Sequence, residues 1–268
     1  MRLWLLLWLA LASLTNTRGK KKPFVPLPYP KINNRTFIKQ CLDAHNKHRS
    51  EVNPPASDML YMTWDLALAR TARAWANKCI FDHNPYRGHP HPKLRPTGEN
   101  LLAGGATRRP YNPAGPISAF YNEVKYYNYN KHSCTRECGH YTQVVWSTSY
   151  KLGCAIVFCP EFGRHKNIEY FVCNYAPTGN LPWRPYKAGR PCSKCQKGDT
   201  CENNLCRNPE RDREIVKRYS RWYPPFEHRI ICDESCIALA VLRPLLMIVA
   251  FAAVFYLQKR YPNLILQK

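Results

Sequence analysis

The sequence predicts an α+β domain, a small disulfide-rich appendage and one C-terminal transmembrane helix. Three observations carry this. Segments with helical spacing occupy the first half of the chain, and strand-like runs joined by a hairpin loop follow them. Thirteen cysteines in 268 residues point to an oxidising compartment. An apolar run over 237–257 is long enough to cross a bilayer. The implied division is a signal peptide (1–19), an extended segment (20–35), the main domain (36–191), a cysteine-rich segment (192–206), a basic stalk (207–236), the transmembrane helix (237–257) and a cytoplasmic tail (258–268).

Arg2 precedes an apolar run that is too short to span a membrane, which is the pattern of a secretory signal. Residues 23–30 are proline-rich and read as extended. Asn34-Arg35-Thr36 is an N-glycosylation acceptor at Asn34.

A first helix is expected over 36–50, with Phe37, Cys41, Leu42 and His45 at helical spacing and Asn53-Pro54-Pro55 as its stop. His45, Asn46 and Arg49 on it read as a helix-packing hydrogen-bond set. Thr63 is read as the cap of a second helix ending at Cys79. Its stripe is Leu66, Ala69, Ala72, Ala76 and Cys79, and the alanines allow close packing on a sheet.

His83 follows that helix. Residues 84–96 read as an exposed loop carrying His89 and His91. Residues 98–102 read as a short strand that turns Glu99 to the site. A third helix is expected over 117–130, with Phe120, Val124 and Tyr127 on one face and Glu123 as its only acidic residue.

Gly139-His140-Tyr141-Thr142-Gln143-Val144-Val145-Trp146 is the centre of the chain's organisation. Its apolar neighbours place His140 at a core edge, where a histidine serves either as a ligand or as a structural hydrogen-bonder. Strands are expected over 153–159 and 168–175, joined by a loop over 160–167 that contains Gly163. Cys192, Cys195, Cys201 and Cys206 have zinc-like spacing, but the loop between them is short. In a secreted chain they read as two disulfides.

The apolar run 237–257 is interrupted by Arg243 and followed by Gln258-Lys259-Arg260. The positive flank places the C-terminus in the cytoplasm and the domain outside. Plasma-membrane display follows, with a secreted form as the variant case. The formal charge of +22, from 40 basic and 18 acidic residues, favours sulfated glycans or acidic membrane surfaces as partners; a solvated basic face is the plain alternative. Nucleic acid is excluded by compartment and by the lack of any nucleic-acid motif.

Four ordered motifs together resemble one family. They are His45-Asn46 with Arg49, Gly98-Glu99-Asn100, the stretch from Gly139 to Trp146, and Tyr170-Phe171-Val172-Cys173-Asn174-Tyr175-Ala176-Pro177-Thr178-Gly179-Asn180. The chain is similar over these to the CAP superfamily of cysteine-rich secretory, antigen 5 and pathogenesis-related 1 proteins. The stalk, the apolar run and Tyr261-Pro262-Asn263-Leu264 resemble its glioma pathogenesis-related 1 branch, above all the membrane-anchored form. The resemblance implies a three-layer α-β-α sandwich. It also implies a cleft tetrad of His83, Glu99, Glu123 and His140, in which His83 and His140 hold a divalent metal such as zinc. Phe120 and Leu102 stand where relatives often carry tryptophan.

That tetrad would suffice for weak zinc binding, with water in any open position. No H-E-x-x-H helix or Gly-x-Ser-x-Gly elbow is present, so no catalytic residue is assigned. The leading expectation is a membrane-displayed binding module for an extracellular protein, glycan or lipid. The alternatives are a zinc-dependent hydrolase and a sterol- or lipid-binding protein.

Overall fold

The computed structural model describes residues 24–213, 222–227 and 234–261. The signal-peptide segment, the chain beyond 261, and Cys232, which the sequence reads as forming a small ring with Cys236 at the membrane face, lie outside the described residues. The chain forms one unit up to Phe226 and a second from Glu227 onward.

Helix α1 (Arg35–Ser50) starts where Asn34 caps it: Asn34 Oδ1 accepts from the Phe37 amide at 3.0 Å. Thr63 is not a cap. It lies in a short strand, β1 (Thr63–Trp64), and Asp65 caps α2 (Leu66–Ala76), its Oδ1 accepting from the Leu68 amide at 2.9 Å. A carboxylate serves better here because it also meets the positive end of the helix. Helix α2 stops at Ala76, and Cys79, at φ 53, turns away to bond Cys159.

Strand β2 (Gly98–Gly105) is longer than expected. The expected helix over 117–130 is α3 (Ala114–Tyr121), then a 3-10 turn (Asn122–Tyr126), then β3 (Tyr127–Asn128), which pairs with β4 (Ser133–Cys134). The tyrosine-rich sequence after Asn122 favours a strand once its rings can pack on the core. The central stretch forms α4 (Gly139–Val144).

Strands β5 (Lys151–Phe162) and β6 (His165–Ala176) leave only Gly163 and Arg164 between them, far fewer than the expected loop. Pairing continues past Cys159 because Glu161 faces Lys166 and Phe162 packs edge-on against Tyr170, 5.0 Å between ring centroids. Gly163 supplies the positive φ of 60° that so tight a turn needs.

The sheet order is β1-β5-β6-β2, with β1 parallel to β5 and the other pairs antiparallel. Alternation along β5 and β6 divides the core. Ala155, Cys159, Tyr170 and Val172 face Ala69, Ala72, Trp75 and Ala76 of α2. Ile156, Phe171, Cys173 and Tyr175 face Phe37, Ile117, Phe120, Tyr141 and Val144 on α1, α3 and α4. The result is three layers, α-β-α. Each fully buried aromatic or large aliphatic side chain contributes about 1.5–3 kcal/mol.

Five disulfides staple the unit: Cys79–Cys159, Cys134–Cys138, Cys154–Cys173, Cys192–Cys201 and Cys195–Cys206. Among the described residues Cys41 is the free thiol, and it is buried. The cysteine-rich segment forms a two-stranded sheet, β7 (Thr200–Glu202) and β8 (Leu205–Arg207). It is sewn to the domain, since Cys206 donates to Met59 O at 2.7 Å and accepts from the Tyr61 amide at 2.9 Å.

Two parts of the expected stalk also contact the domain. Lys151 Nζ donates to Asp212 O, 3.1 Å, in α5 (Pro209–Arg213). Arg70 donates to Trp222 O at 2.6 Å and lies over the Tyr223 ring. The second unit contains α6 (Glu234–Arg260); its stretch Ala238–Arg260 has mean hydropathy 2.4 and is long and apolar enough to cross a membrane.

Candidate functional site

The four residues of the expected tetrad form two histidine–carboxylate pairs. His83 sits on the loop after α2, with its Nδ1 2.9 Å from Glu99 Oε1. Glu99 comes from β2 and its side chain is fully buried, while that of His83 is 57% exposed. The Asn84 amide also donates to Glu99 Oε1, at 2.9 Å. With its amide nitrogen toward the carboxylate, Asn174 of β6 donates to Glu99 Oε2 at 3.2 Å and accepts from the Ala72 amide. Burial of this carboxylate is therefore matched by donors on both oxygens.

The second pair has the same arrangement. His140, on the first turn of α4, has its Nδ1 2.7 Å from Glu123 Oε1. Glu123 Oε2 accepts from the backbone amides of His140 (3.0 Å) and Tyr141 (3.3 Å). The carboxylate thus holds both the ring and the opening turn of the helix. Phe120 lies against the imidazole, 5.0 Å between centroids and 21° between planes.

An Nδ1 facing a carboxylate carries the proton, so each neutral ring presents the lone pair of Nε2 outward. Carboxylate behind, imidazole in front, is the arrangement that fixes a metal-binding histidine and raises its basicity. Glu99 and Glu123 are therefore occupied as orienting groups. Among the described residues, the three or more ligand groups that converge within 4.8 Å are Cys192, Cys195 and Cys206, all held in disulfides. The tetrad does not close into a single ligand shell.

The remaining motif residues connect this site to the core. Asn100 Nδ2 donates to His140 O (3.0 Å) and to the Tyr175 hydroxyl (3.3 Å). Tyr175 in turn meets His45 Nε2 at 2.9 Å, and His45 Nδ1 meets Cys41 O at 2.8 Å. The chain of donors requires neutral His45: Nδ1–H donates to the carbonyl and Nε2 accepts from Tyr175. Burial pushes the His45 pKa down to about 3, with Arg49 nearby acting in the same direction.

Arg49 donates to the carbonyls of Leu60, Val144, Trp146, Ser147 and Ser149, as a packing set should.

The exposed position that the sequence predicts for His89 is not what the structure shows. It is buried, with Nε2 3.1 Å from Asp65 Oδ2, and its Nδ1 accepts from the His91 amide at 3.0 Å. Burial alone would raise the Asp65 carboxyl, but hydrogen bonds from His89 and the Leu68 amide hold it below its usual value. The pair anchors the loop between His83 and Glu99 to the start of α2. Its alternating prolines and histidines concealed this, since Asp65 lies 24 residues upstream.

The three-layer fold and the paired histidines define a class of α-β-α domain. The cysteine-rich secretory protein family model, CAP, matches residues 42–175, and the chain belongs to that family. It is 48% identical to GLIPR1-like protein 1 of Bos taurus over 81% of this chain and 89% of the relative. It is 41% identical to glioma pathogenesis-related protein 1 of Mus musculus over 91% of this chain and 92% of the relative. Among solved structures it resembles NaASP2 with Zn2+ at TM-score 0.52 and 27% identity, over 67% of this chain and 99% of that one.

Proposed function

We propose that the protein is a membrane-tethered, extracellular binding module whose cleft holds a divalent metal through Nε2 of His83 and of His140. The observation that carries this reading is the pair of carboxylate-oriented imidazoles, each with Nε2 turned away from its orienting carboxylate. Two imidazoles supply half of a tetrahedral zinc set and leave the other positions to water or to an acidic group of a ligand. A bound ion would supply positive charge for such a group.

Zinc in the similar NaASP2 structure is in keeping with this donor set. A hydrolytic role is less well supported, because both carboxylates already accept two or more hydrogen bonds and neither is positioned as a spare base. Tethering is supported by the apolar stretch Ala238–Arg260 with its basic end, and extracellular placement by five disulfides.

Zinc titrated calorimetrically into metal-stripped, detergent-solubilised full-length protein tests the reading. One ion per chain is expected, with binding lost in the His83→Ala, His140→Ala double variant. Glu123→Gln keeps both imidazoles but loosens one, and should weaken affinity about 10–100-fold. Unchanged zinc affinity in the double variant refutes the site.

A further inference from the structure

The charge of +22 is not spread evenly in its consequences. Several of the basic side chains are neutralised or buried: Arg207 and Arg211 pair with Glu202, Asp212 and Asp199, and Arg49 is spent on carbonyls. One end of the sheet differs. There the β5–β6 turn carries Arg164, His165 and Lys166, all exposed.

The segment leaving β2 runs beside that turn. Gly105 is in register with Ile168, and the Ala106 amide donates to Asn167 O at 2.8 Å. Arg108 and Arg109, both exposed, follow within two or three residues. Among the described residues none of Arg108, Arg109, Arg164 and Lys166 forms an ion pair within 4.0 Å. The nearby carboxylates are few. Glu161 lies across from Lys166 in the ladder, and Glu169 accepts from the Tyr29 hydroxyl at 3.1 Å.

The chain entering the domain arrives at the same place. The Arg108 guanidinium lies 5.3 Å over the Phe24 ring, and Phe24 packs on Phe158 of β5. In the sequence Phe24 is preceded by Lys20-Lys21-Lys22-Pro23.

We propose that this end of the sheet is a binding surface for sulfated polysaccharide chains. Arginine forks match planar-faced oxyanions bidentately, and a row of unpaired cations gains by releasing counterions from a dense polyanion. A sulfated glycan is favoured over lipid headgroups because anionic lipid is concentrated in the cytoplasmic leaflet, whereas the domain is read as extracellular. The proposal rests on that extracellular reading but not on the metal cleft. Glu99 and Gly105 are separated along β2 by about 20 Å at ~3.4 Å per residue, so the two sites can be tested apart.

Full-length protein in detergent is applied to immobilised heparin and eluted with sodium chloride. Arg108→Gln, Arg109→Gln, Arg164→Gln and Lys166→Gln are combined in one variant. A second variant removes the same charge elsewhere, at the exposed Lys47, Lys78, Lys194 and Lys197, each to Gln. The first should elute at least ~0.2 M earlier and bind heparin roughly tenfold or more weakly. The second should shift by less than half as much, and desulfated heparin should retain neither.

Matching melting temperatures establish that both variants are folded, and Arg164→Gln with Lys166→Gln alone gives an intermediate shift. His83→Ala with His140→Ala should leave elution unchanged whatever it does to zinc. Equal shifts in the two charge variants reduce the effect to net charge and overturn the proposal. So does unaltered retention of the first, or loss of its binding to phosphatidylserine vesicles with heparin affinity intact.

Discussion

His45 shows how a residue in a family motif can matter without touching a ligand. Its ring is fully buried between Cys41 O and the Tyr175 hydroxyl, and it is neutral because burial lowers its pKa to about 3. In the unfolded chain the same group titrates near ~6.5. Between those values the unfolded state binds the extra proton, so stability rises with pH. The contribution is therefore complete above about pH 6.5 and is lost as pH falls toward 3, by at most ~1.4 kcal/mol per pH unit. Urea denaturation at pH 7.5 and 5.0 measures it. His45→Gln should be less stable than the native chain at pH 7.5 yet show a shallower loss on acidification. Equal pH slopes for the two proteins would remove His45 as the source. Asn100 and Tyr175 extend the same hydrogen-bond chain to the backbone of His140, so acid should loosen the start of α4 together with the core.

The packing of α2 on the sheet sets the position of His83, which follows α2, against Glu99 on β2. Contact is closest at Gly153 of β5, where a Cβ would lie 2.1 Å from the Ala69 backbone nitrogen. Neither partner there is a flexible side-chain end, so Gly153→Ala must push helix and strand apart. A loss of about 1–3 kcal/mol is expected in thermal or denaturant unfolding, with weaker zinc binding because His83 follows α2 and Glu99 lies on the sheet. An alanine variant as stable as the native chain would disprove so close a contact.

The alanine spacing of α2 points to close packing, and the strand-like runs over 153–159 and 168–175 point to β5 and β6. What local sequence did not carry was set by distant partners. Asp65 displaces Thr63 as cap partly because His89 bonds its second oxygen, and the helix expected through 130 breaks at Asn122 because Tyr127 pairs with Cys134. The family motifs drew attention to His83, Glu99, Glu123 and His140 as a tetrad. Their division into two orienting pairs is set by the tertiary fold, which brings Glu99 to His83 Nδ1 and Glu123 to His140 Nδ1.

The chain as a whole combines a disulfide-stapled domain with a separate apolar helix, and its orientation across a membrane is open to a direct chemical test. The exposed Asn34 caps α1 and also heads an N-glycosylation acceptor motif, and the two features can be separated. Its Oδ1 caps α1 through the Phe37 amide, while its Nδ2 is the atom a glycan would occupy. Glycosylation leaves the capping oxygen in place, so the two roles are compatible. Thr36→Ala destroys the acceptor motif without touching the cap, whereas Asn34→Gln removes both. If the domain faces the secretory lumen and then the cell exterior, the native chain expressed in cultured animal cells should lose mass on treatment with an amide-cleaving glycosidase. Thr36→Ala should run at the deglycosylated mass with full stability. Asn34→Gln should run at that same mass but unfold more easily, by about 1 kcal/mol. Truncation before Glu234 should convert the glycosylated protein from a form that resists alkaline carbonate extraction to one released into the medium. A native chain that carries no glycan and stays in the cytosol would overturn the orientation. A truncated chain that remains membrane-bound would show that the apolar helix is not the anchor.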